Sequence, residues 1–150
     1  MAYSTPTIQS TGDLITVTIW NQNVVYNVIA LLPLGLEFFV DGGGAAFTTG
    51  LKGVIEVPCK CVIDRQTLLL DQPATVTFDI WKDTYADYPP DVADTITASA
   101  KPSTTAVIKD QDSILPGWTT AIAAGDIVAW NVDDNDVATW ALSSLKCSRS

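Results

Sequence analysis

The sequence predicts a mainly β protein, namely a jelly-roll-like antiparallel β-sandwich with a short N-terminal arm that contains a helix. Three observations predict this fold class. Apolar and polar residues alternate in short segments after residue 33, as in Val76–Ile80, and such alternation is typical of half-buried strands. Clusters of Gly, Pro, Asp and Asn, which favour turns, separate these segments. The segments number about seven, and that many short strands in one domain favour a sandwich or a jelly roll.

The predicted strands follow from this alternation, and they are Leu36–Asp41, Gly53–Val57, Cys61–Leu70, Ala74–Trp81, Thr95–Ala100, Asp126–Val132 and Val137–Cys147. The turn-forming residues 71–73 predict a break between the third and fourth of these strands. The acidic segment Asp133–Asp136 predicts a turn that closes the last two strands into a hairpin. Because Tyr88–Gly117 has little periodicity, we expect a long loop there that makes subunit contacts or binding surface.

Two regions are predicted: an N-terminal arm, residues 1–33, and a β-domain, residues 34–150. Apolar residues in the arm recur at spacings of three and four, which predicts one apolar face of a helix. These residues are Val17, Trp20, Val24, Val28 and Leu31. Thr16 is the predicted N-cap, and Pro33 is predicted to end the helix. A strand at Leu14–Ile19 is the competing prediction, and the arm either packs on its own domain or anchors the chain to a neighbouring subunit.

Composition excludes several classes of function. The chain has no histidine, so nucleophile systems of the Ser-His-Asp and Cys-His kinds are excluded. Its formal net charge of -9 should repel nucleic acid and anionic membrane, so we expect neither as a partner. Apolar residues make up 47% of the chain, charged residues make up only 17%, and five residues are Trp. This surplus of apolar surface indicates a homo-oligomer in which the subunits cover each other.

The candidate disulfide residues are Cys59, Cys61 and Cys147. Their number is odd, so at least one is free or pairs between chains. Cys59 and Cys61 lie two apart in a strand-like run, which is poor geometry for a bond between them, but one of them could reach Cys147 if the last strand lies alongside. We expect no signal peptide, because residues 1–13 lack a basic segment followed by an apolar stretch. Three reduced thiols in a protein made in the cytosol are therefore favoured over a disulfide.

No motif predicts a catalytic residue, a metal site or a cofactor. The acidic turn at residues 133–136 lacks the Gly and Glu positions of a calcium loop, so a solvated turn is favoured over an irregular calcium site. The chain has 15 Asp, which makes some pair of neighbouring carboxylates inevitable and gives a glycan-cleaving pair little specific support. Asp residues recur every four positions from Asp79 to Asp91, but the segment starts as a strand and ends at Pro89-Pro90, so a shared helical face is not expected.

Four aromatic residues surround the predicted loop: Trp81, Tyr85, Tyr88 and Trp118. Exposed aromatic side chains stack on sugars or anchor a protein partner. Positions in the core or in a subunit interface are the favoured alternative, because large aromatic residues dominate both.

Several segments resemble parts of bacteriophage virion proteins. TGDLITVTIWNQNVVYNVIAL (Thr11–Leu31) resembles a short module of phage structural proteins, and its matching positions are Gly12, Asp13, Ile15, Thr16, Trp20, Asn21 and Asn27. Three later segments resemble a β-domain of phage tail-fibre, head-fibre and hypothetical virion proteins, and they are Phe39–Pro58, Thr67–Ile96 and Leu115–Asp133. The most specific pieces are DIWKDTY-x-x-YPP and GWTT-x-I-x-x-GD. Relatives often have one Cys or none near residues 59–61, so the two present here leave room for a particle-specific crosslink.

The resemblance implies an oligomeric, often trimeric, virion component with no catalytic residues to carry over. We therefore expect a non-enzymatic capsid decoration or head-fibre protein on the virion surface, made in the bacterial host cytoplasm. Its arm would attach it to the major capsid protein or to another virion protein, through Trp20, Asn21, Val24, Asn27, Val28 and Leu31. The alternative is a tail-fibre or tail-tip module that binds host surface glycan through the loop aromatics. A glycan-cleaving enzyme is the third hypothesis.

Overall fold

The computed structural model of the chain describes residues 16–21, 28 and 33–149. This part of the chain is mainly β, as predicted, and seven strands form one antiparallel sheet that is nearly closed, like a barrel. The strands are β1 (Leu34–Asp41), β2 (Gly50–Glu56), β3 (Cys61–Asp83), β4 (Ser103–Asp112), β5 (Ala121–Ile122), β6 (Ile127–Asn135) and β7 (Trp140–Arg149). The helical elements are short, namely α1 (Val17–Trp20) and two 3-10 turns, Tyr85–Asp87 and Val92–Asp94. None of the described helices is long and apolar enough to cross a membrane.

Strand β3 organises the sheet, because four other strands pair with it. Its first half, residues 61–70, pairs with β7, and its second half, residues 76–83, pairs with β6. β4 pairs with both halves. β1 continues the sheet beyond β7, and β2 continues it beyond β6, which gives the order β1-β7-β3-β6-β2. The sheet therefore has two halves that share β3.

The predicted break at residues 71–73 is wrong, because β3 runs through them without interruption. The pairing of β3 with β4 is irregular between Leu69 and Ala74. Pro73 lies within that irregular stretch, where its missing N–H costs no regular ladder hydrogen bond. The turn-forming residues therefore mark an irregularity inside one long strand.

The two halves of the sheet face each other across one apolar core. Phe38 of β1 stacks on Trp130 of β6, with the ring centroids 5.4 Å apart. The indole N–H of the fully buried Trp130 donates a hydrogen bond to Ser143 Oγ of β7 at 3.0 Å. These two contacts join β6 to β1 and to β7 of the opposite half. The other large buried side chains include Leu68, Phe78, Ile80, Ile122 and Leu145.

The predicted hairpin of the last two strands is wrong. β6 pairs with β2 and β3, whereas β7 pairs with β1 and β3. Asp133, Asp134 and Asn135 belong to β6 and do not form a turn. Asp136 follows the strand, and its Oδ1 accepts a hydrogen bond from the Thr75 N–H at 3.0 Å. The acidic segment therefore ends a strand at the point where the chain crosses from one half of the sheet to the other.

The predicted loop Tyr88–Gly117 is wrong in part, because it contains β4. β4 pairs with β3 on one side, and within it Thr104 alone is buried, so the strand shows no alternation of apolar and polar residues. Ala106, with φ of 52°, lies in the part of β4 where the pairing is irregular. The predicted strand Thr95–Ala100 is also wrong, because Thr95 makes only an isolated bridge to Trp81 and residues 96–100 form no strand.

The predicted arm lies only partly within the described residues. In α1 the Trp20 N–H donates a hydrogen bond to Thr16 O at 3.0 Å. Val24, Asn27 and Leu31 lie outside the residues that the structure describes. The longer arm helix and the jelly-roll connection of the strands stay predictions.

A prediction concerns the close approach of β1 and β2. A Cβ atom at Gly53 would overlap the Phe38 ring. The variant Gly53→Ala must shift that ring on Trp130, so we expect the free energy of unfolding to fall by about 1–3 kcal/mol. Gly35→Ala in β1 is the matched control, because a Cβ there would lie 3.6 Å from the Glu37 side chain, an ordinary contact. Urea denaturation measures both variants, and equal stabilities would contradict the described packing.

Candidate functional site

The buried carboxylate of Asp79 binds the long connection between β3 and β4 to the outer face of β3. The side chain of Asp79 is 1% exposed. The hydroxyls of Thr95 and Thr97 donate hydrogen bonds to Asp79 Oδ1 at 2.6 and 2.8 Å. Lys101 Nζ lies 2.9 Å from Asp79 Oδ2. Residues 95–101 are thus held against the second half of β3 by one carboxylate.

The electrostatics of this cluster favour an ionised Asp79. Burial alone would raise the pKa of Asp79, but hydrogen bonds from Thr95, Lys101 and other neighbours bring it below its ordinary value. Lys101 also pairs with Asp133, at 2.6 Å. The hydrogen bonds to Asp133 and Asp79 raise the pKa of Lys101. The cluster is therefore a charged network that links β3, the connection and β6.

The connection between β3 and this cluster is shaped by local hydrogen bonds of acidic residues. Thr84 Oγ1 donates to Asp87 Oδ2 at 2.7 Å. Asp91 caps the second 3-10 turn, because its Oδ1 accepts from the Ala93 N–H at 2.7 Å. The regularly spaced Asp residues therefore do not share one helical face. This agrees with the expectation from the sequence.

The four loop aromatics do not form one exposed surface, contrary to the hypothesis of a shared contact site. Trp118 is buried, and its indole N–H donates to Ala100 O at 2.8 Å. Trp81 is half-buried on β3. Tyr85 and Tyr88 are exposed, by 80% and 53%. Only the two tyrosines are therefore available to a partner in this arrangement.

All three cysteines are free thiols. The terminal strand does lie beside β3, with Cys147 paired to Ile63, and this brings Cys147 next to Cys61. Both of these side chains are fully buried, whereas Cys59 is half-buried. Burial raises the pKa of the Cys61 thiol, and burial together with the neighbouring Cys61 raises the pKa of Cys147. The buried pair therefore has the properties of inert core thiols.

The acidic residues of the described chain do not cluster as metal ligands. Within residues 16–21, 28 and 33–149, no three His, Cys, Asp or Glu side chains are placed to hold a metal ion. Asp133 binds Lys101, and Asp136 accepts from the N–H groups of Thr75 and Val137. Asp133 and Asp136 therefore both have partners within the fold.

An exposed apolar surface lies on the outer face of the first half of the sheet. It consists of Phe39, Leu69, Trp140 and Leu142, and we call it the outer patch. Phe39 and Leu69 are both register partners of Leu142, so the three side chains form one row across β1, β7 and β3. The Trp140 ring lies 5.6 Å from the Phe39 ring. Phe39 is 55% exposed, and Leu69 and Trp140 are each 36% exposed, so water reaches most of the row.

An open depression of about 400 Å³ adjoins the outer patch between β3 and β4. Its lining residues are Thr67, Leu69, Lys109, Asp110 and Gln111. Leu69 belongs to both the depression and the outer patch, and Lys109 is its register partner on β4. The two features therefore form one continuous surface with a concave end.

Sequence reasoning missed the outer patch, although the sequence contains a signal for it. Phe39 has the same strand parity as Glu37 and Asp41, and these side chains point away from the core. An aromatic residue between two outward charged residues predicts an exposed apolar side chain. The partners on β7 and β3 could not be found this way, because they depend on the register of strands distant in sequence.

Comparisons with protein-family models, with curated proteins and with solved structures found no match for this chain.

A prediction concerns the buried carboxylate. We expect Asp79→Ala to lower the free energy of unfolding by about 3 kcal/mol, because it removes the shared partner of Thr95, Thr97 and Lys101. The control Asp134→Ala changes an exposed acidic residue of β6, and we expect less than about 0.5 kcal/mol. Denaturation curves at neutral pH measure both variants. Equal losses would contradict the anchoring role of Asp79.

The same variant has an expected pH dependence. The pKa of Asp79 is lower in the folded chain than its ordinary value of 3.8. The ionised carboxylate therefore stabilises the fold at pH values above 3.8, and this stabilisation is lost as the pH falls through the lower folded-state pKa. The stability difference between the wild type and Asp79→Ala should shrink in that acidic range. A difference that grows on acidification would contradict the pKa direction.

A further prediction concerns the thiols. In the folded protein, a thiol reagent should modify Cys59 quickly, and Cys61 and Cys147 only after unfolding. Because the pKa values of the buried pair are raised, their contribution to stability is present below the ordinary thiol pKa of 9.0 and declines as the pH rises above it. Timed alkylation followed by mass spectrometry measures the rates. Equal modification of all three thiols in the folded protein would contradict their described burial.

Proposed function

We propose that this chain is a non-enzymatic structural protein of a bacteriophage particle, a capsid decoration or head-fibre subunit. Its N-terminal arm attaches it to the shell, through the major capsid protein or another virion protein. Its β-domain, jelly-roll-like in its connections, stands outward in a homotrimer. The chain is made in the host cytoplasm and resides on the virion surface.

The exposure of the outer patch is the main support for the proposed structural role. Its row of three apolar side chains is open to water in a single chain, and an exposed surface of this kind is typical of a protein interface. Trp20, in the arm, is 53% exposed as well. The chain thus offers apolar surfaces that subunit contacts would remove from water. The assignment to a phage rests on the resemblance of Thr11–Leu31 and of the later segments to phage proteins.

The positions of the buried acidic side chains favour a structural role over a catalytic one. Asp79 is bound by the hydroxyls of two threonines and by Lys101. Asp126 accepts from the Ala123 N–H at 2.9 Å and pairs with Lys82 at 3.1 Å. The oxygens of each carboxylate are bound within the fold, and neither carboxylate lines the open depression described above. The three free thiols are consistent with a protein made in a reducing cytoplasm.

A second candidate function is a tail-fibre or tail-tip module that binds host surface glycan. The exposure of Tyr85 and Tyr88 favours it, because exposed tyrosines stack on sugar rings. Trp118 is not part of this candidate surface, because its side chain is buried.

Labelling of intact phage separates the two candidates. We expect immunogold label on heads, and we expect the purified protein to bind genome-free capsid shells. Deletion of residues 1–15 should weaken shell binding at least tenfold, because these residues form the start of the attaching arm and precede its apolar face. Tyr85→Ser/Tyr88→Ser is the matched control and should bind shells as the wild type does. Label confined to tails, or glycan binding that the tyrosine variant abolishes, would contradict the head assignment and support the second candidate.

A further inference from the structure

We propose that the outer patch is the docking site for the arm of a second copy of this chain. In this arrangement the apolar face of the arm, residues 16–32, lies across the row of Phe39, Leu142 and Leu69. The inference deepens the proposed function by naming a partner for the arm, and it rests on that function only for the idea that copies assemble. Residues 1–15, which precede the apolar face, stay available for the shell.

The dimensions of the outer patch match those of a helix. Its row crosses three neighbouring strands, β1, β7 and β3. Adjacent strands lie about 4.8 Å apart, so the row is about 10 Å wide. A helix with its side chains is about 10 Å across, and the apolar face predicted for the arm is one stripe of such a helix. One helix therefore covers the row without leaving apolar surface beside it.

The described residues of both surfaces are exposed to water. Trp20 and Val28, which belong to the predicted apolar face, are each 53% exposed. Phe39, at the β1 end of the row, is 55% exposed. Two complementary apolar surfaces that stay open within one chain can cover each other between two chains.

The connection between the arm and β1 disfavours docking on the same copy. The predicted helix extends to Leu32, and β1 begins at Leu34, so Pro33 alone would join them. A helix that reverses onto a neighbouring strand needs a connection of about two or more residues. Pro33 also fixes its own φ and restricts the residue before it to extended conformations. We therefore assign the arm of another copy, and not the chain's own arm, to the outer patch.

Charge favours the arm over another β-domain as the occupant. The chain carries a formal net charge of -9, so two β-domains that meet face to face bring like charges together. Residues 14–32 contain no charged residue. The rim of the outer patch carries charges of both signs, with Glu37 and Asp41 beside Phe39 and Lys109 beside Leu69. An uncharged segment with an apolar face can cover the patch without burying a charge of its own.

The depression beside Leu69 gives the interface a place for a large side chain. Its volume of about 400 Å³ and its position at the end of the row suit one aromatic residue of the docked arm. Trp20 is the largest residue of the predicted apolar face, so we assign it to this depression. Arms that pass from each copy to the next form a head-to-tail contact, which is the kind of contact that a cyclic trimer uses.

Sedimentation of the full-length protein over a range of concentrations tests whether the two surfaces belong to one interface. We expect the wild type to self-associate, and we expect Leu69→Asp and Trp20→Ser each to raise the dissociation constant at least tenfold. Tyr85→Ser is the matched control and should associate as the wild type does. An unchanged far-ultraviolet circular dichroism spectrum shows that a variant is folded, so that its loss of association is not due to misfolding. A monomeric wild type, or an arm variant that associates normally, would overturn the proposal.

Photo-crosslinking identifies the occupant directly. A benzophenone amino acid replaces Trp20 in unlabelled protein, which is mixed with unmodified protein that carries nitrogen-15. After illumination and digestion, we expect the arm peptide to be joined to nitrogen-15 peptides that contain Phe39, Leu69 or Leu142. Crosslinks confined to the unlabelled copy's own outer patch, or crosslinks to other surfaces, would overturn docking between copies. Immunogold labelling tests the proposed virion function separately, so a failure of docking between copies can be distinguished from a failure of the proposed function.

Discussion

The pairing of one 23-residue strand with two successive neighbours is the constraint on which the rest of this structure depends. β7 pairs with the first half of β3, and β6 pairs with the second half. Each neighbour then carries an outer strand, so the sheet acquires two halves that face each other. The core contacts follow from this arrangement, because Phe38 can stack on Trp130 only when β1 and β6 lie on opposite sides of the core. The irregular stretch between Leu69 and Ala74 lets a single strand serve both halves.

The outer faces of the two halves of β3 differ, because one is covered by another part of the chain and the other is exposed. Outside the second half, Asp79 binds residues 95–101, so a charged network and a connection cover the strand. Outside the first half, no described segment covers Leu69 and its partners, and the apolar row stays exposed. The buried carboxylate thus serves the fold, whereas the uncovered row is the surface through which we propose that copies of the chain meet.

Much of the fold could be predicted from the sequence wherever a strand is buried on one face. β1 and β7 can be predicted in this way, because the residues on one face of each strand are apolar or small and point to the core. β4 cannot be, because it is an edge strand with a single buried residue, Thr104, and its pattern contains no periodicity. The sequence placed Asp79 on the outward side of its strand, which is correct, but its burial depends on a distant segment that folds over it. The partners of Phe39 likewise depend on strand register, which local patterns do not encode.

The central claim is that the outer patch becomes covered by the arm of another copy. Hydroxyl-radical footprinting of the full-length protein, from dilute to concentrated solution, tests it residue by residue. We predict that Phe39, Trp140 and the arm residue Trp20 lose reactivity together as the concentration rises, while Tyr85 stays fully reactive. Constant reactivity of Phe39 and Trp140 at all concentrations, or protection of the outer patch without protection of Trp20, would contradict the account.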